Sequence, residues 1–372
     1  MKIAYFAPEL ADPAVRRRVG MLTDARCAVN LLGFARDRGA GAPDADGYVL
    51  GHTQNRKFVQ RIFSVLGAIP RALALRRLWR DADVVLARNL EMLALVVLVT
   101  LIMRPRARIA YECLDIHRLM SSPGIAGRVL RAIERACLRR SAIVVTSSPA
   151  FEQHHFRQMQ GFAGDIILAE NKILPLAEAA PSLSARPEGP PWVIAWCGVL
   201  RCRKSLDLLR KLANETNGDV RVDLWGAPAL DQIPTFHDLV AGAPNMAFHG
   251  RYEARDLPAI YGRAHFAWTL DFYEAGGNSD WLLPNRLYES LAFGAVPLAV
   301  AGVETARWLS AKNVGLVFDA SLERALSAFF LSLTPQAYEP FAMRVRALDQ
   351  ALLRETPDTC RAFAARLAGR KL

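Results

Sequence analysis

Cysteine is scarce in this sequence of 372 residues: six, at positions 27, 113, 137, 197, 202 and 360, none in CxxC spacing. With no histidine cluster beside them, that pattern excludes a zinc site and a disulfide framework, and predicts reduced thiols. Long apolar runs are missing too. The run MLALVVLVTLIM has 12 residues between Glu91 and Arg104, too short to cross a bilayer. The other long stretch, Ser290 to Val303, contains Gly294, Pro297 and Gly302. The first residues, MKIAYFAPELADPAV, lack the charged and apolar regions of a secretory signal, so a cytoplasmic location is expected. No GxGxxG follows the first apolar run, and neither GxxxxGK[ST] nor GxSxG occurs. This argues against a dinucleotide-dependent dehydrogenase, a P-loop enzyme and a serine hydrolase. Two DxD strings, Asp44 to Asp46 and Asp81 to Asp83, fall in a polar loop and just before a strand. Neither is a place for a ligand, and no metal is expected.

What the sequence does have is enough apolar material for two cores: 52% hydrophobic residues and a mean hydropathy of +0.11. Its net charge is +11, unevenly spread. Residues 1–180 carry 26 Lys and Arg against 16 Asp and Glu, and the rest 21 against 20. The first half is therefore expected to meet an anionic partner.

Short apolar runs alternate with helical stretches: KIAYFA, AVNLLGFA, DVVLARN, RIAYECLD, AIVVTSS and DIILAENK. The Pro- and Ala-rich stretch from Pro175 to Pro191 interrupts them. Alternation then restarts with WVIAWCG, RVDLWG, MAFHG, HFAWTLD, AVPLAV and GLVFD. The pattern predicts two parallel-sheet α/β domains, 1–175 and 192–345, a linker at 176–191 and a helical tail at 346–372.

In such sheets ligands sit beyond the carboxyl ends of strands. In WVIAWCGVLRCRKSLDLL a strand ends near Gly198, a loop carries Arg201, Arg203 and Lys204, and a helix capped by Ser205 is expected next. Cations beside a helix N-terminus suit a diphosphate. In FYEAGGNSDWLLPNRLYESLAFGAVPLA, Gly276, Gly277 and Asn278 let backbone approach a ligand. Pro284 is expected to open a helix carrying Tyr288 and Glu289, and a glutamate there can accept two bonds from a ribose diol. Asn278, Asn285 and Arg286 are candidates for phosphate or sugar hydroxyls, and His249, Arg251 and Tyr252 of HGRY for lining the base.

In the first half, Asp115 and His117 follow a strand and are the candidate catalytic residues, Asp115 the first choice of base and His117 the next. Asp12 should cap a helix beginning at Pro13, and Asp12 with Arg16 and Arg17 on that helix are the candidate residues for binding an anionic acceptor. Residues 56–80 hold seven basic residues and no acid, with Phe58, Ile62, Val65, Leu66 and Ile69 on one helical face until Pro70 interrupts. Such a segment could lie on an anionic membrane or pack as core. Basic residues are not interleaved with aromatics as in nucleic-acid binders, so no nucleic-acid partner is expected.

Two nucleotide-type domains, the linker and the tail resemble the GT-B glycosyltransferases. The strings GVLRCRKSLDLL and PNRLYESLAFGAVPLA resemble that family's phosphate loop and the motif around its ribose-binding glutamate, here Glu289. DPAVRRRV, LARNLEMLAL, YECLDIHRLM, NSDWLLPNRLYE and GVETARWL resemble bacterial exopolysaccharide glycosyltransferases of the succinoglycan-biosynthesis type, in order along nearly the whole chain. The resemblance implies two domains facing a central cleft and a C-terminal helix crossing back to the first. It implies a UDP-sugar donor on the second domain and, on the first, a polyprenyl-diphosphate-linked saccharide at the inner membrane. Trp281 stands eight positions before Glu289, where many retaining members carry a second glutamate, so neither retention nor inversion is implied. A sugar-nucleotide epimerase of the same fold and a basic nucleic-acid-binding protein are the rival readings.

Overall fold

A computed structural model describes residues 1–36, 47–53, 58–174, 186–319 and 321–370, without the side chains of 53, 58–64 and 66. The chain divides into two units, Met1–Glu170 with Glu355–Leu372, and Asn171–Arg354.

The first unit is a seven-stranded parallel sheet in the order β3-β2-β1-β4-β5-β6-β7. Its strands are β1 (Lys2–Ala7), β2 (Ala28–Arg36), β3 (Tyr48–Thr53), β4 (Val84–Arg88), β5 (Arg108–Cys113), β6 (Ile143–Thr146) and β7 (Asp165–Leu168). Helices α1 (Pro13–Asp24), α2 (Phe58–Ala74), α3 (Asn89–Met103), α4 (Arg118–Ser121) and α5 (Ile125–Leu138) connect them, and residues Phe151–Met159 form a π-helix. β4 and β6 are buried at every residue, because helices cover both faces of the sheet.

Asp12 caps α1 as expected, its Oδ1 accepting from Ala14 N at 2.8 Å. Pro70, by contrast, does not interrupt α2, which runs through it to Ala74. Burial of Val65, Ala68 and Ala72 offsets the backbone hydrogen bond a proline removes. These three residues are core. Arg56, Lys57 and the side chains of Phe58, Ile62 and Leu66 lie outside the described residues, as do Asp44 and Asp46.

The second unit is a six-stranded parallel sheet ordered β10-β9-β8-β11-β12-β13. Its strands are β8 (Trp192–Leu200), β9 (Val220–Pro228), β10 (Met246–Gly250), β11 (Phe266–Trp268), β12 (Val296–Val300) and β13 (Leu316–Phe318). The helices are α6 (Arg203–Glu215), α7 (Phe236–Ala241), α8 (Leu257–Arg263), α9 (Asn278–Trp281), α10 (Asn285–Ala292), α11 (Glu304–Ala311), α12 (Leu322–Ser332) and α13 (Pro335–Arg346). Trp192, Trp196, Phe266, Trp268 and Tyr288 anchor its core. Truncating any one to alanine should cost about 3–5 kcal/mol.

The tail differs from the expected 346–372 block. Residues through 354 stay with the second unit. Ile173 N donates to Leu353 O at 2.9 Å, Lys172 Nζ to Ala351 O at 2.8 Å, and Arg354 Nη2 to Ala292 O at 3.2 Å. The final helix, α14 (Pro357–Leu367), belongs to the first unit. There Phe363 lies under the Arg18 guanidinium, 4.5 Å away, and Arg366 Nη2 donates to Ile166 O at 3.0 Å.

Strand order reverses between β1 and β4 in one sheet and between β8 and β11 in the other. Those are the points where crevices open at strand carboxyl ends.

Candidate active site

In the second unit the reversal point is built from the loops after β8 and β11. Close backbone approach is needed there. Gly198 has φ +122° and pairs with Gly226, where a Cβ would lie 1.9 Å from Gly198 O. Beyond Gly198, Arg201 sits over the Tyr273 ring at 4.4 Å, and Lys204 Nζ over the Phe272 ring at 4.4 Å. The two rings hold two cations at the N-terminus of α6, where unpaired N–H groups add to the positive potential.

The helix start differs from expectation. Cys202, not Ser205, is the cap, its Sγ accepting from Ser205 N at 3.4 Å. Ser205 is fully buried and its Oγ has no partner. Because the helix begins three residues early, Arg203 falls on its outer side and bonds Asp207 through Nε at 2.8 and 2.9 Å. Arg203 is thus not part of the cationic pair.

Facing the end of β8 is α10. Pro284 is its cap and Asn285 its first residue, exposed. Arg286 Nη2 donates to Leu270 O at 3.0 Å and Thr269 O at 3.4 Å, and lies 4.0 Å from Asp271 Oδ2. Through Nη2 its guanidinium fastens α10 to the end of β11, while Nε is buried with no hydrogen-bond partner. Tyr288 is a second correction. It is fully buried, edge-on to Trp308, on the same helix face as Leu287 and Leu291. One residue on, Glu289 is half-buried and faces Cys197, Tyr252 and Tyr261. Burial pushes the Cys197 thiol up to about 12, the nearby Glu289 carboxylate adds to this, and Arg286 opposes it. Burial and then Glu289 raise Tyr252, and burial, then Cys197 and Glu289, raise Tyr261.

The loop between β11 and α10 is held from within. Gly276, with φ +80°, donates its N–H to Asp280 Oδ2 at 2.9 Å, and Glu274 N donates to Ser279 Oγ at 2.9 Å. Asn278 starts the short helix α9 and is buried. At the edge of the sheet His249 lies flat on Trp225, centroids 4.2 Å apart and planes 13° apart, with Nε2 3.0 Å from Asp223 Oδ1. Arg251 is exposed and Tyr252 half-buried beside it.

In the first unit the reversal point is occupied differently. Glu112, fully buried, takes Arg18 Nε at 2.5 Å, Arg88 Nη1 at 3.2 Å and the Tyr5 hydroxyl. Burial works against the Glu112 charge, but the two guanidinium groups hold its carboxyl below the usual range. Of the three consecutive arginines, Arg18 thus points inward, Arg17 is half-buried and Arg16 is exposed. Asp115 and His117 meet on a cavity of ≈ 150 Å³ with Asn89, Glu91, Cys113 and Glu134. His117 also caps α4, its Nδ1 accepting from Leu119 N at 3.3 Å. Glu134 beneath accepts from Tyr111 Oη at 2.8 Å and bonds His155 Nε2 at 2.7 Å.

Sequence reasoning missed Phe272, Tyr273 and Trp225, although DFYE directly after a strand was a signal for the first two. It also missed the network around Glu112, for which no local signal exists.

No family model matches the chain. Over nearly its whole length it resembles sucrose-phosphate synthase from Thermosynechococcus elongatus: TM-score 0.74, 15% identity, 99% of this chain and 98% of that one. HepE of Anabaena, solved in complex with UDP and glucose, gives 0.67 and 13%, with 99% of each chain covered. These likenesses define the class: the fold is GT-B, that of a large group of glycosyltransferases. The chain is also 42% identical over 358 residues to the succinoglycan biosynthesis protein ExoL of Rhizobium meliloti (strain 1021), covering 93% of this chain and 88% of that one. It belongs to the ExoL family of succinoglycan biosynthesis proteins.

Proposed function

We propose that the protein transfers a sugar from a nucleoside-diphosphate donor, a UDP-sugar, to a polyprenyl-diphosphate-linked saccharide at the cytoplasmic face of the inner membrane, without a metal. The observation that carries this is the pair Arg201 and Lys204 at the α6 N-terminus, with Glu289 facing the end of the same strand. HepE, whose fold this chain shares, binds UDP and glucose, and ExoL is a succinoglycan biosynthesis protein.

On this reading the second unit holds the donor. Glu289 accepts hydrogen bonds from the ribose diol, and the His249–Trp225 stack borders the base. The bond from the anomeric carbon to the diphosphate oxygen breaks. Arg201, Lys204 and the α6 N–H groups stabilise the negative charge that grows there, usually the largest catalytic contribution. The acceptor hydroxyl oxygen forms the new bond. In an inverting reaction its proton goes to Asp115, with His117 beside it. In a retaining one the leaving diphosphate takes the proton and Asp115 positions the acceptor.

The test is turnover of a panel of UDP-, GDP-, ADP- and dTDP-sugars with a polyprenyl-diphosphate saccharide, in EDTA. The expected result is a longer lipid-linked saccharide and release of one nucleoside diphosphate, both lost in Glu289→Ala. Epimerised donor formed without acceptor, or no turnover of any donor, would contradict the reading.

A further inference from the structure

At the amino ends of the first sheet's strands lies a cavity of ≈ 680 Å³, at the other end of that sheet from Asp115 and His117. Its walls come from Arg80 to Asp83 before β4, from Met103 to Arg106 between α3 and β5, and from Ala368 and Arg370 after α14. Four arginines stand on it: Arg80, Arg104, Arg106 and Arg370, all exposed. The backbone places two of them. Arg104 ends α3 in the left-handed region, φ 47°, where glycine is the usual residue, and its N–H donates to Thr100 O at 2.8 Å. Gly369, with φ +74°, turns the chain after α14, and Arg370 N donates back to Ala365 O at 3.0 Å. Behind that turn the Arg108 guanidinium packs on Gly369, leaving no room for a Cβ, and its Nε is buried without a partner.

Exposed arginines elsewhere meet carboxylates: Arg203 meets Asp207, Arg307 meets Glu304 and Arg361 meets Asp358. Around this cavity they do not. Among the described residues, none of its four arginines has a side-chain hydrogen bond or an ion pair. Asp81 and Asp83 share the wall, and Asp83 Oδ2 is occupied by Lys2 N at 2.7 Å. The charge does not balance. Two carboxylates and two helix C-termini, each worth about half a negative charge, face four guanidinium groups with that of Arg108 behind them. This excess selects the ligand. Guanidinium forks match phosphate oxygens. No aromatic side chain among the described lining residues is there to stack a base. Arginines from three chain segments surround the space, so a singly charged group would satisfy only one of them. We propose that this cavity binds a linear oligophosphate, pyrophosphate or longer, held by Arg80, Arg104, Arg106 and Arg370. The ligand ties the starts of β4 and β5 to the end of α14 and so stabilises the first unit. The site lies wholly in that unit, apart from Arg201 and Lys204 in the second. Sequence pointed the other way, because Asp81 and Asp83 precede a strand, and the fold alone brings Arg104, Arg106 and Arg370 beside them.

Calorimetric titration of the full chain with sodium tripolyphosphate tests the proposal. It is run on an Arg201→Ala/Lys204→Ala background, which removes oligophosphate binding at the donor site. One site should remain, and tripolyphosphate should raise the melting temperature with concentration. Adding Arg104→Ala/Arg106→Ala should weaken binding by more than about tenfold, because charge-assisted hydrogen bonds are lost. Asp81→Ala should tighten it about threefold by removing a like charge. Arg139→Ala/Arg140→Ala, an equal loss of charge from exposed residues away from the cavity, should bind as the background does. These variants replace exposed residues, and without ligand each should melt like the background. No binding on the background would overturn the proposal, as would equal losses in the Arg104/Arg106 and Arg139/Arg140 variants. So would displacement by equimolar citrate, which would make any trianion a ligand, or by phosphatidylglycerol vesicles, which would make the site a lipid contact. In an otherwise wild-type chain, Arg104→Ala/Arg106→Ala should leave stabilisation by UDP unchanged, so this site and the donor site stand or fall separately.

Discussion

The two sheets reverse strand order at equivalent points, yet they use their arginines in opposite ways. In the second unit, Arg201 and Lys204 are held against the faces of Tyr273 and Phe272, which occupy none of their hydrogen-bond donors with a carboxylate. In the first unit, Arg18 and Arg88 converge on the buried Glu112. An aromatic ring positions a cation and leaves its charge for a ligand, whereas a buried carboxylate neutralises it. The same charge type therefore stays available to a ligand in one unit and is spent on the fold in the other. What decides is the partner across the crevice, tens of residues away in sequence.

Breaking the buried network should give the largest effect. Glu112→Ala leaves two arginines uncompensated and should destabilise the first unit by about 3–5 kcal/mol, read as a fall in its chemical-denaturation midpoint. Because the folded Glu112 pKa is depressed, its contribution is present above the unfolded value and lost as pH falls through the lower folded one.

Next come the ring-held cations. Arg201→Ala or Lys204→Ala should cost about 1.5–3 kcal/mol of transition-state stabilisation, a ten- to hundredfold fall in kcat/KM, with melting temperature nearly unchanged.

A pH titration separates the units again. His265 in the second unit is buried between Val193 N and Pro187 O, 3.0 and 2.9 Å from its ring nitrogens, and burial lowers its pKa from 6.5 to about 4. The unfolded chain binds a proton there before the folded one does. The second unit's stability should therefore be fully present above pH 6.5 and fall as pH drops from 6.5 towards 4, by about 1.4 kcal/mol per pH unit in the steepest part. Urea melts across that range, and on His265→Gln, measure it.

The smallest effect sharpens the comparison most. Arg203→Ala breaks a half-exposed pair with Asp207 and should cost less than about 1 kcal/mol in stability and leave kcat/KM within about threefold. A loss like that of Arg201→Ala would return Arg203 to the site.

Much of this was legible in sequence. Alternating apolar runs placed both parallel sheets except for the edge strand β3, and Asp12 followed by proline marked the start of α1. Glu289 and the basic loop stood out because they follow strands. What was illegible came from phase and from distance. A cysteine cap shifted the start of α6 by three residues, which turned Arg203 outward. Spacing within α10 puts Leu287 and Leu291 inward and carries Tyr288 with them, a reading available from the period but overridden by the motif. The network joining Tyr5, Arg18, Arg88 and Glu112 draws on three strands and a helix and leaves no local pattern.

The most direct test of the central claim, that the end of β8 and Glu289 form a nucleotide-diphosphate site, is a thermal-shift titration. UDP, GDP, ADP and dTDP would be compared in EDTA on wild type, Glu289→Ala and Arg203→Ala. A ligand that binds only the folded state raises the melting temperature with concentration. The account predicts that UDP stabilises the wild type and Arg203→Ala and has no effect on Glu289→Ala. Failure of every nucleotide to stabilise the wild type, or an undiminished response in Glu289→Ala, would contradict it.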